Sequence, residues 1–368
     1  MKKKVIVGMS GGVDSSLAAA LLVQQGYDVI GVTLKLYSYE ESLQEVTTGK
    51  KDCHPDAFIE NAKAVSRHLG IPHYVINQEE LFKEKVVNPF VSEYQKGRTP
   101  LPCARCNREV KTASLWNILD EFQADYLATG HYVRSIQEEA HRELHRGLDP
   151  IRDQSFFLFM LTWNQLQKHL FPLGEFSKDQ TRTMAQALGL VTAQTSASQD
   201  LCFIAKKTYQ SWMAQEGSTG EPGDIIDQAG HVLGQHKGLS YYTVGQRQGI
   251  GVGGTQEPLY VIQLKVDENQ LVVGPKSALA RTQILLNEVN WLAPDQQNAF
   301  DPNIQHHIGV KIRSSGAVKP AILKLSPGMQ SAMVQLAEPE YGVAQGQACV
   351  FYQGQRLLGG GWIEQAAA

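Results

Sequence analysis

The spacing of apolar residues changes character along the chain. Val5–Met9 is a short apolar run, and a glycine-rich turn follows it. Ser15–Gln25 then has the length of a helix closed by Gly26, the residue that most easily takes the left-handed cap conformation. Val29–Leu36 predicts a second strand. Phe58, Ala62, Val65 and Leu69 recur at helical spacing up to Gly70, and His73–Ile76 predicts a third strand. A further helix is expected over much of Glu79–Tyr94, then a loop rich in Pro and Cys from Gly97 to Asn107, a helix to about Phe122 and a strand at Tyr126–Ala128. This βα alternation predicts an α/β fold with a doubly wound, mainly parallel sheet and ligands at the carboxyl ends of its strands.

After Gln154 the pattern shifts. Ser177 and Gln180 have capping-box spacing at the start of a helix ending at Gly189. Beyond about residue 208 helical periodicity gives way to Gly-rich and β-rich segments. Leu259–Val273 reads as a hairpin around Asp267, Glu268 and Asn269, and Val310–Ile312, Ala321–Leu325, Met333–Leu336 and Ala348–Tyr352 read as short strands. The expected organisation is a catalytic domain over 1–208, a small central β-rich domain over 209–276 and a C-terminal antiparallel β-barrel over 277–368.

The 368 residues, 42% hydrophobic and 19% charged, suffice for a buried core and argue against wholesale disorder. Lys plus Arg number 34 and Asp plus Glu 37, a net charge of −3, which removes any global attraction to nucleic acid or anionic membrane and leaves only a local basic face open. No apolar run reaches the roughly 18 residues of a membrane span, and the apolar stretch after Lys2–Lys4 is too short for a signal peptide, so a cytoplasmic chain is expected. Five cysteines in such a chain point to metal-binding, catalytic or buried thiols rather than a disulfide framework.

The strongest chemical signal is Gly8-Met9-Ser10-Gly11-Gly12-Val13-Asp14-Ser15, placed between a predicted strand and a predicted helix. Gly11 and Gly12 permit backbone conformations that turn successive N–H groups toward an anion, the helix start adds free amides and its dipole, and Ser10 and Ser15 add hydroxyls. Asp14 could position Mg²⁺. No Lys follows the glycines, so the loop is not the common ATPase P-loop. It resembles the loop of the PP-loop pyrophosphatases, and that resemblance implies cleavage of ATP to AMP and pyrophosphate to activate an oxygen of a second substrate.

The second signal is Gly97–Asn107, containing Cys103-Ala104-Arg105-Cys106 and followed by Lys111. A Cys-x-x-Cys pair just before a helix, with Arg105, Arg108 and Lys111 close by, is expected to favour thiolate and to raise the nucleophile's population about tenfold. A zinc site would need two more ligands, which Cys53 and His54 would have to supply from a distant loop. The third signal, Cys202-Phe203-Ile204, reads by itself as a buried inert thiol. His306 and His307 read as an ordinary strand end. Arg134, Arg142, Arg146 and Arg152, with His141 and His145, form a basic stretch able to contact phosphates or simply to be solvated.

Taken in order, the Ser10–Ser15 loop, Cys106-Asn107, Ala128-Thr129-Gly130-His131-Tyr132, Asp153-Gln154-Ser155, Cys202-Phe203-Ile204 and Gly245-Gln246-Arg247 resemble the bacterial tRNA-specific 2-thiouridylases over nearly the whole chain. The resemblance implies a cytoplasmic enzyme that adenylates the C2 oxygen of the wobble uridine in the tRNAs for Lys, Glu and Gln and replaces it with sulfur. It further implies a persulfide on Cys202, Cys106 as partner nucleophile, a transient Cys106–Cys202 disulfide, and sulfur supplied by a relay protein or cysteine desulfurase. Gly8 to Ser15, Leu34 and Gly130 would line an ATP site, Leu101, Pro102 and Cys103 would approach the base, and His131, Arg152, Asp153, Gln154, Arg313 and Gln347 would face tRNA.

Leu101 and Cys103 depart from the family's usual residues, which include Asn and Asp there. Cys103, Cys106 and Cys202 could alternatively hold three irons of a [4Fe–4S] cluster. Cys53 and Cys349 are expected to be non-catalytic, and the chain to be a monomer. A PP-loop ligase that forms amides would need neither Cys106 nor Cys202.

Overall fold

The computed structural model describes residues 2–38, 55–139, 141–195, 201–204, 209–216, 220–253, 257–293 and 305–367. Cys53, His54, Ser198, Gln199 and Asp200 lie outside the described residues.

In chain order the elements are β1 (Lys4–Gly8), α1 (Val13–Gln24), β2 (Asp28–Lys35), α2 (Pro55–Leu69), β3 (His73–Asn77), α3 (Glu79–Phe82), α4 (Asn88–Gln95), α5 (Pro102–Arg105), α6 (Ala113–Asn117), β4 (Tyr126–Thr129), β5 (Val133–Gln137), β6 (Arg142–Arg146), α7 (Trp163–Gln167), β7 (His169–Leu170) and α8 (Lys178–Ala187). There follow α9 (Tyr209–Gln215), β8 (Gly223–Ile226), β9 (Val232–His236), β10 (Tyr260–Lys265), β11 (Gln270–Gly274), β12 (Ala280–Trp291), β13 (His306–Lys311), β14 (Lys319–Leu325), β15 (Ala332–Tyr341), β16 (Ala348–Gln353) and β17 (Arg356–Ala367). Two compact units emerge from the contacts. The first comprises Met1–Val86, Cys103–Ala205 and Gln355–Leu357, and the second Val87–Pro102, Lys206–Gly354 and Leu358–Ala368.

The first unit is built on a five-stranded sheet in the order β3-β2-β1-β4-β7, every pair parallel. Val5, Ile6 and Val7 of β1 are inaccessible to solvent, as expected of a central strand covered on both faces. One face packs on Leu17, Ala18, Leu21 and Leu22 of α1 with Ala62 and Val65 of α2, and the other on Leu115 and Leu119. The expected doubly wound parallel sheet is therefore present. The capping box is formed as its spacing predicts: Gln180 N donates to Ser177 Oγ at 3.2 Å, and Ser177 N donates to Gln180 Oε1 at 2.8 Å.

The Pro- and Cys-rich segment departs from expectation. It is helical from Pro102 onward, where proline takes its favoured first-turn place, and Cys106–Thr112 forms a π-helical stretch before α6. Cys103 thus lies in the first turn, whereas Cys106 is a full turn in. The helix ends at Asn117, short of Phe122. The expected 79–94 helix is likewise interrupted by a π-helical turn at Lys83–Val87.

In the second unit, β10-β11-β8-β9 make a four-stranded sheet, with β10 and β11 antiparallel about the expected turn. Strands β12-β15-β14-β13-β16-β17 follow one another around a ring that a further β12–β17 pairing closes into a six-stranded antiparallel barrel. Closure leaves no free edge among these strands. Leu323, Val334, Cys349 and Phe351, all inaccessible, fill its core, so Cys349 is a packing residue whose thiol burial pushes upward. No helix among the described residues is long and apolar enough to cross a membrane.

Candidate active site

The Gly8–Ser15 loop leaves the carboxyl end of β1 and enters α1 with Gly12 as the N-cap. The helix begins at Val13, two residues before Ser15. Gly11 has φ +75°, and a Cβ there would lie 2.0 Å from the carbonyl oxygen of Phe58, so α2 can approach the loop only over a glycine. Gly12 brings no side chain to cap the first turn, which leaves that turn's amides and dipole available to an anion. Ser15 braces the loop, accepting from Ser10 N at 3.0 Å and standing 3.2 Å from Ser10 Oγ. Gly130 follows β4 against this turn: a Cβ would come within 2.7 Å of Asp14 C and Ser15 N. Leu34 packs beside the β1–β2 core cluster. These features fit the polyphosphate of a nucleotide.

Asp14 is not free to act as a ready-made magnesium ligand. Lys178 Nζ donates to its two carboxylate oxygens at 2.6 and 2.7 Å, and the Tyr132 hydroxyl donates to Oδ1 at 2.7 Å while standing 3.0 Å from Thr181 Oγ1. Lys178 is buried, at 7% exposure, and faces its only carboxylate partner among the described ion pairs. Sequence reasoning passed over Lys178, although a cation at the first position of a helix opposes the dipole and calls for a carboxylate partner. Burial raises the Tyr132 hydroxyl, and the negative charge of Asp14 adds to the effect.

The cysteines that the sequence separates come together in the first unit. Cys106, Cys202 and Cys103 all interact electrostatically with Lys111, and Cys106 with both other sulfurs. Cys103 and Cys106 are free thiols. Burial pushes the Cys106 thiol up to about 12, against a smaller lowering by Lys111. The expected electropositive activation is therefore overturned at rest: Cys106 is 5% exposed, beyond the helix's first-turn amides, and desolvation outweighs the cation. Cys103 and Cys202 are exposed as residues although their sulfurs are crowded by protein, and crowding raises both thiols. The amides of Cys202 and Phe203 face the Cys202 sulfur and oppose this rise.

The order of thiol reactivity follows. Iodoacetamide at mildly alkaline pH should label Cys103 and Cys202 well before Cys106 and Cys349. Labelling of Cys106 should keep accelerating as pH rises toward about 12, because its thiolate fraction grows over that range. Peptide mass analysis across time and pH checks both. Faster labelling of Cys106 than of Cys202 would contradict the geometry.

No group of three or more His, Cys, Asp or Glu among the described residues is arranged to hold a metal ion. Lys111 lies within electrostatic reach of all three cysteines, and the persulfide and cluster readings draw on the same residues.

The residues that sequence resemblance directs toward tRNA are placed as follows. His131 adjoins Lys111 electrostatically and accepts or donates at Nδ1 with Thr129 Oγ1, 2.8 Å away. Arg152 is exposed and within electrostatic reach of Tyr132. Asp153 is buried, accepting from Arg146 Nε, Gly147 N, Ser155 N and Ser155 Oγ, so it anchors the turn from within. Gln154 Oε1 accepts from Tyr132 N at 2.9 Å. The remaining basic stretch lies on the β5–β6 hairpin, where Arg146 pairs with Asp153 and Arg134 Nε donates to Arg146 O. In the second unit, Gln347 Nε2 donates to Thr99 O at 2.9 Å and Pro100 O at 3.3 Å, securing the stretch before Leu101 and Pro102, and Arg313 donates to Tyr341 O and Gly342 O.

Three family profiles match the chain: the tRNA methyl transferase HUP domain over residues 3–206, the tRNA methyl transferase PRC-barrel domain over 212–275 and the aminomethyltransferase beta-barrel domain over 281–363. The chain is 47% identical to the tRNA-specific 2-thiouridylase MnmA of Zymomonas mobilis, over 99% of this chain and 94% of that one. It is 45% identical to those of Paracoccus denitrificans, over 98% and 91%, and of Rickettsia conorii, over 98% and 95%.

Proposed function

The chain belongs to the family of tRNA-specific 2-thiouridylases, and from that premise we propose how its own residues exchange oxygen for sulfur at C2 of the wobble uridine in the tRNAs for Lys, Glu and Gln. The observation that supports the reading best is the convergence of Cys106 and Cys202 on Lys111 in the unit that carries the nucleotide loop. A nitrogen-transferring ligase would have no use for that pair.

A uracil C2 carbonyl is amide-like and its oxygen leaves poorly, so it must be activated first. ATP bound on Gly8–Ser15 transfers AMP to that oxygen with loss of pyrophosphate; Mg²⁺ would neutralise the phosphate charge, with Asp14 the carboxylate of the loop able to help hold it. Leu34 and Gly130 border the nucleotide. Cys202 receives one sulfur as a persulfide from a relay protein or desulfurase, and the amides facing it suit an anionic sulfur. The terminal sulfur attacks C2 and AMP departs with the oxygen. Cys106, having lost its proton, then attacks the Cys202 sulfur. The S–S bond to the base breaks, the sulfur stays on C2, and a Cys106–Cys202 disulfide remains for a cellular dithiol to reduce. Lys111 supplies the charge that holds Cys106 as thiolate once substrate arrives.

Leu101, Pro102 and Cys103 are assigned to the target base. His131, Arg152, Gln154, Arg313 and Gln347 are assigned to tRNA, with Asp153 as the internal anchor of the turn that carries Arg152. A division at about residues 208 and 276, a monomeric state and a cytoplasmic location complete the proposal.

Purified protein incubated with ATP, Mg²⁺, a persulfide donor, a dithiol and unmodified tRNA for Glu should yield 2-thiouridine, AMP and pyrophosphate. Digestion and mass analysis of the tRNA reads the product. AMP formation without thiolated uridine would defeat the proposal.

A further inference from the structure

We infer that His169 and Thr129 are positioning residues that hold His131 as the neutral Nε2–H tautomer, so that its ring offers one fixed, uncharged hydrogen-bond donor to a substrate oxygen at the reacting uridine. The identity of that acceptor rests on the proposed function; the tautomer does not.

The three side chains form a line. Thr129 Oγ1 lies 2.8 Å from His131 Nδ1 and 3.3 Å from His169 Nε2. A hydroxyl carries one proton, so two arrangements spend it within the line; a third, with both rings donating to Thr129, would leave that proton no acceptor in the line. In the first, His169 Nε2–H donates to Thr129 and Thr129 donates to His131 Nδ1, which leaves the His131 proton on Nε2. In the second, both directions reverse. Two independent features select the first. Bonds donated by O–H are characteristically shorter than those donated by N–H, and the contact to His131 is the shorter of the two. His169 Nδ1 is buried without a hydrogen-bond partner among the described residues, and in the second arrangement it would be an orphaned N–H, the costlier kind of unpaired group; in the first it is a bare lone pair.

His169 has little freedom to do otherwise. It is 1% exposed, its ring stacks on Phe171 at 4.3 Å and 16°, and its carbonyl accepts from Ser135 Oγ. On the other side, Gly130 is pressed against Asp14 and Ser15 with no space for a Cβ, which pins the backbone of His131 to the nucleotide loop. Lys111 stands in electrostatic reach of the same ring and of Cys106. His131 therefore adjoins both the group that activates oxygen and the group that serves sulfur. Burial and Lys111 keep His131 neutral, down to about 3, and burial does the same for His169. The chemical benefit is specific. An imidazolium would surrender a proton to a sulfur nucleophile, whereas a neutral N–H donates a hydrogen bond near neutral pH without quenching it.

The test uses full-length protein labelled with ¹⁵N-histidine, with His131 assigned by loss of its signals in His131→Asn. Long-range ¹H–¹⁵N spectra near neutral pH should show His131 protonated at Nε2 in the parent and in Thr129→Ser. Thr129→Val should lose that preference and lower kcat for 2-thiouridine formation at least about tenfold, with KM for ATP unchanged and with rescue in Thr129→Ser. If Thr129→Val fails to fold, His169→Phe keeps a ring against Phe171, removes the donor and should give the same spectral change. A parent His131 protonated at Nδ1 or at both nitrogens overturns the inference, as does an unchanged tautomer or unchanged kcat in the relay variants. The predicted tautomer in a protein that makes no 2-thiouridine would instead defeat the proposed function alone.

Discussion

Cys202→Ser is expected to abolish 2-thiouridine formation, by on the order of 10³-fold or more, while leaving ATP binding close to that of the parent protein. The nucleotide loop is held by Ser10, Ser15, Asp14, Tyr132 and Lys178, so activation and sulfur transfer should separate cleanly at this position. Cys106→Ser should be equally inactive in turnover but fail at a later step. With the persulfide intact, its outer sulfur can still attack C2; without the Cys106 thiolate, the S–S bond joining Cys202 to the base has no internal group to break it. The variant should therefore accumulate a covalent protein–tRNA adduct that an added dithiol releases. The double variant should be no worse than either single one, because residues that act as a unit lose activity non-additively. Gel mobility with and without dithiol reads the adduct. Full turnover in either single variant would remove the cysteines from the chemistry.

Lys178→Met should be the next most damaging change, through charge rather than shape. Asp14 keeps a side chain about one-third exposed, and Lys178 is almost fully enclosed, so the pair lies between the two limiting cases. Breaking a fully buried pair costs about 3–5 kcal/mol, and an exposed one about 0–1 kcal/mol. A loss of about 2 kcal/mol is expected, which for a unit of this size lowers Tm by about 4–8 °C. Asp14→Asn combined with Lys178→Met should recover much of that stability, since no lone charge remains, yet pyrophosphate release should stay at least about 10²-fold down in both. Thermal melts and pyrophosphate assays separate the two effects. Equal damage to stability in the single and double variants would show that Lys178 acts by packing and not as the partner of Asp14.

What the sequence revealed depended on range. The β1–loop–α1 unit and the Ser177–Gln180 box are set by residues within a few positions of one another, and β13 to β16 by short apolar runs, so these were legible, whereas β12 and β17 were not read. The helical start at Pro102 was hidden because two prolines and two cysteines read as a loop, although a proline at a first helical position is itself a start signal. The π-helical stretch at Cys106 has no comparable local mark. Arg134, Arg142 and Arg146, with His141 and His145, disguised the β5–β6 hairpin as a basic stretch. The state of Cys106 was misjudged for a deeper reason: nearby cations are visible in sequence, but the desolvation that outweighs them belongs to the packed structure. Lys178, Thr129 and His169 acquire meaning only through partners distant in the chain.

A single turnover tests the account most directly. Protein carrying one persulfide on Cys202, mixed with ATP and unmodified tRNA in the absence of any reductant, should produce AMP, 2-thiouridine and an internal Cys106–Cys202 disulfide in equal amounts, and then stop. Product formed without the disulfide, or disulfide formed without AMP, would contradict it.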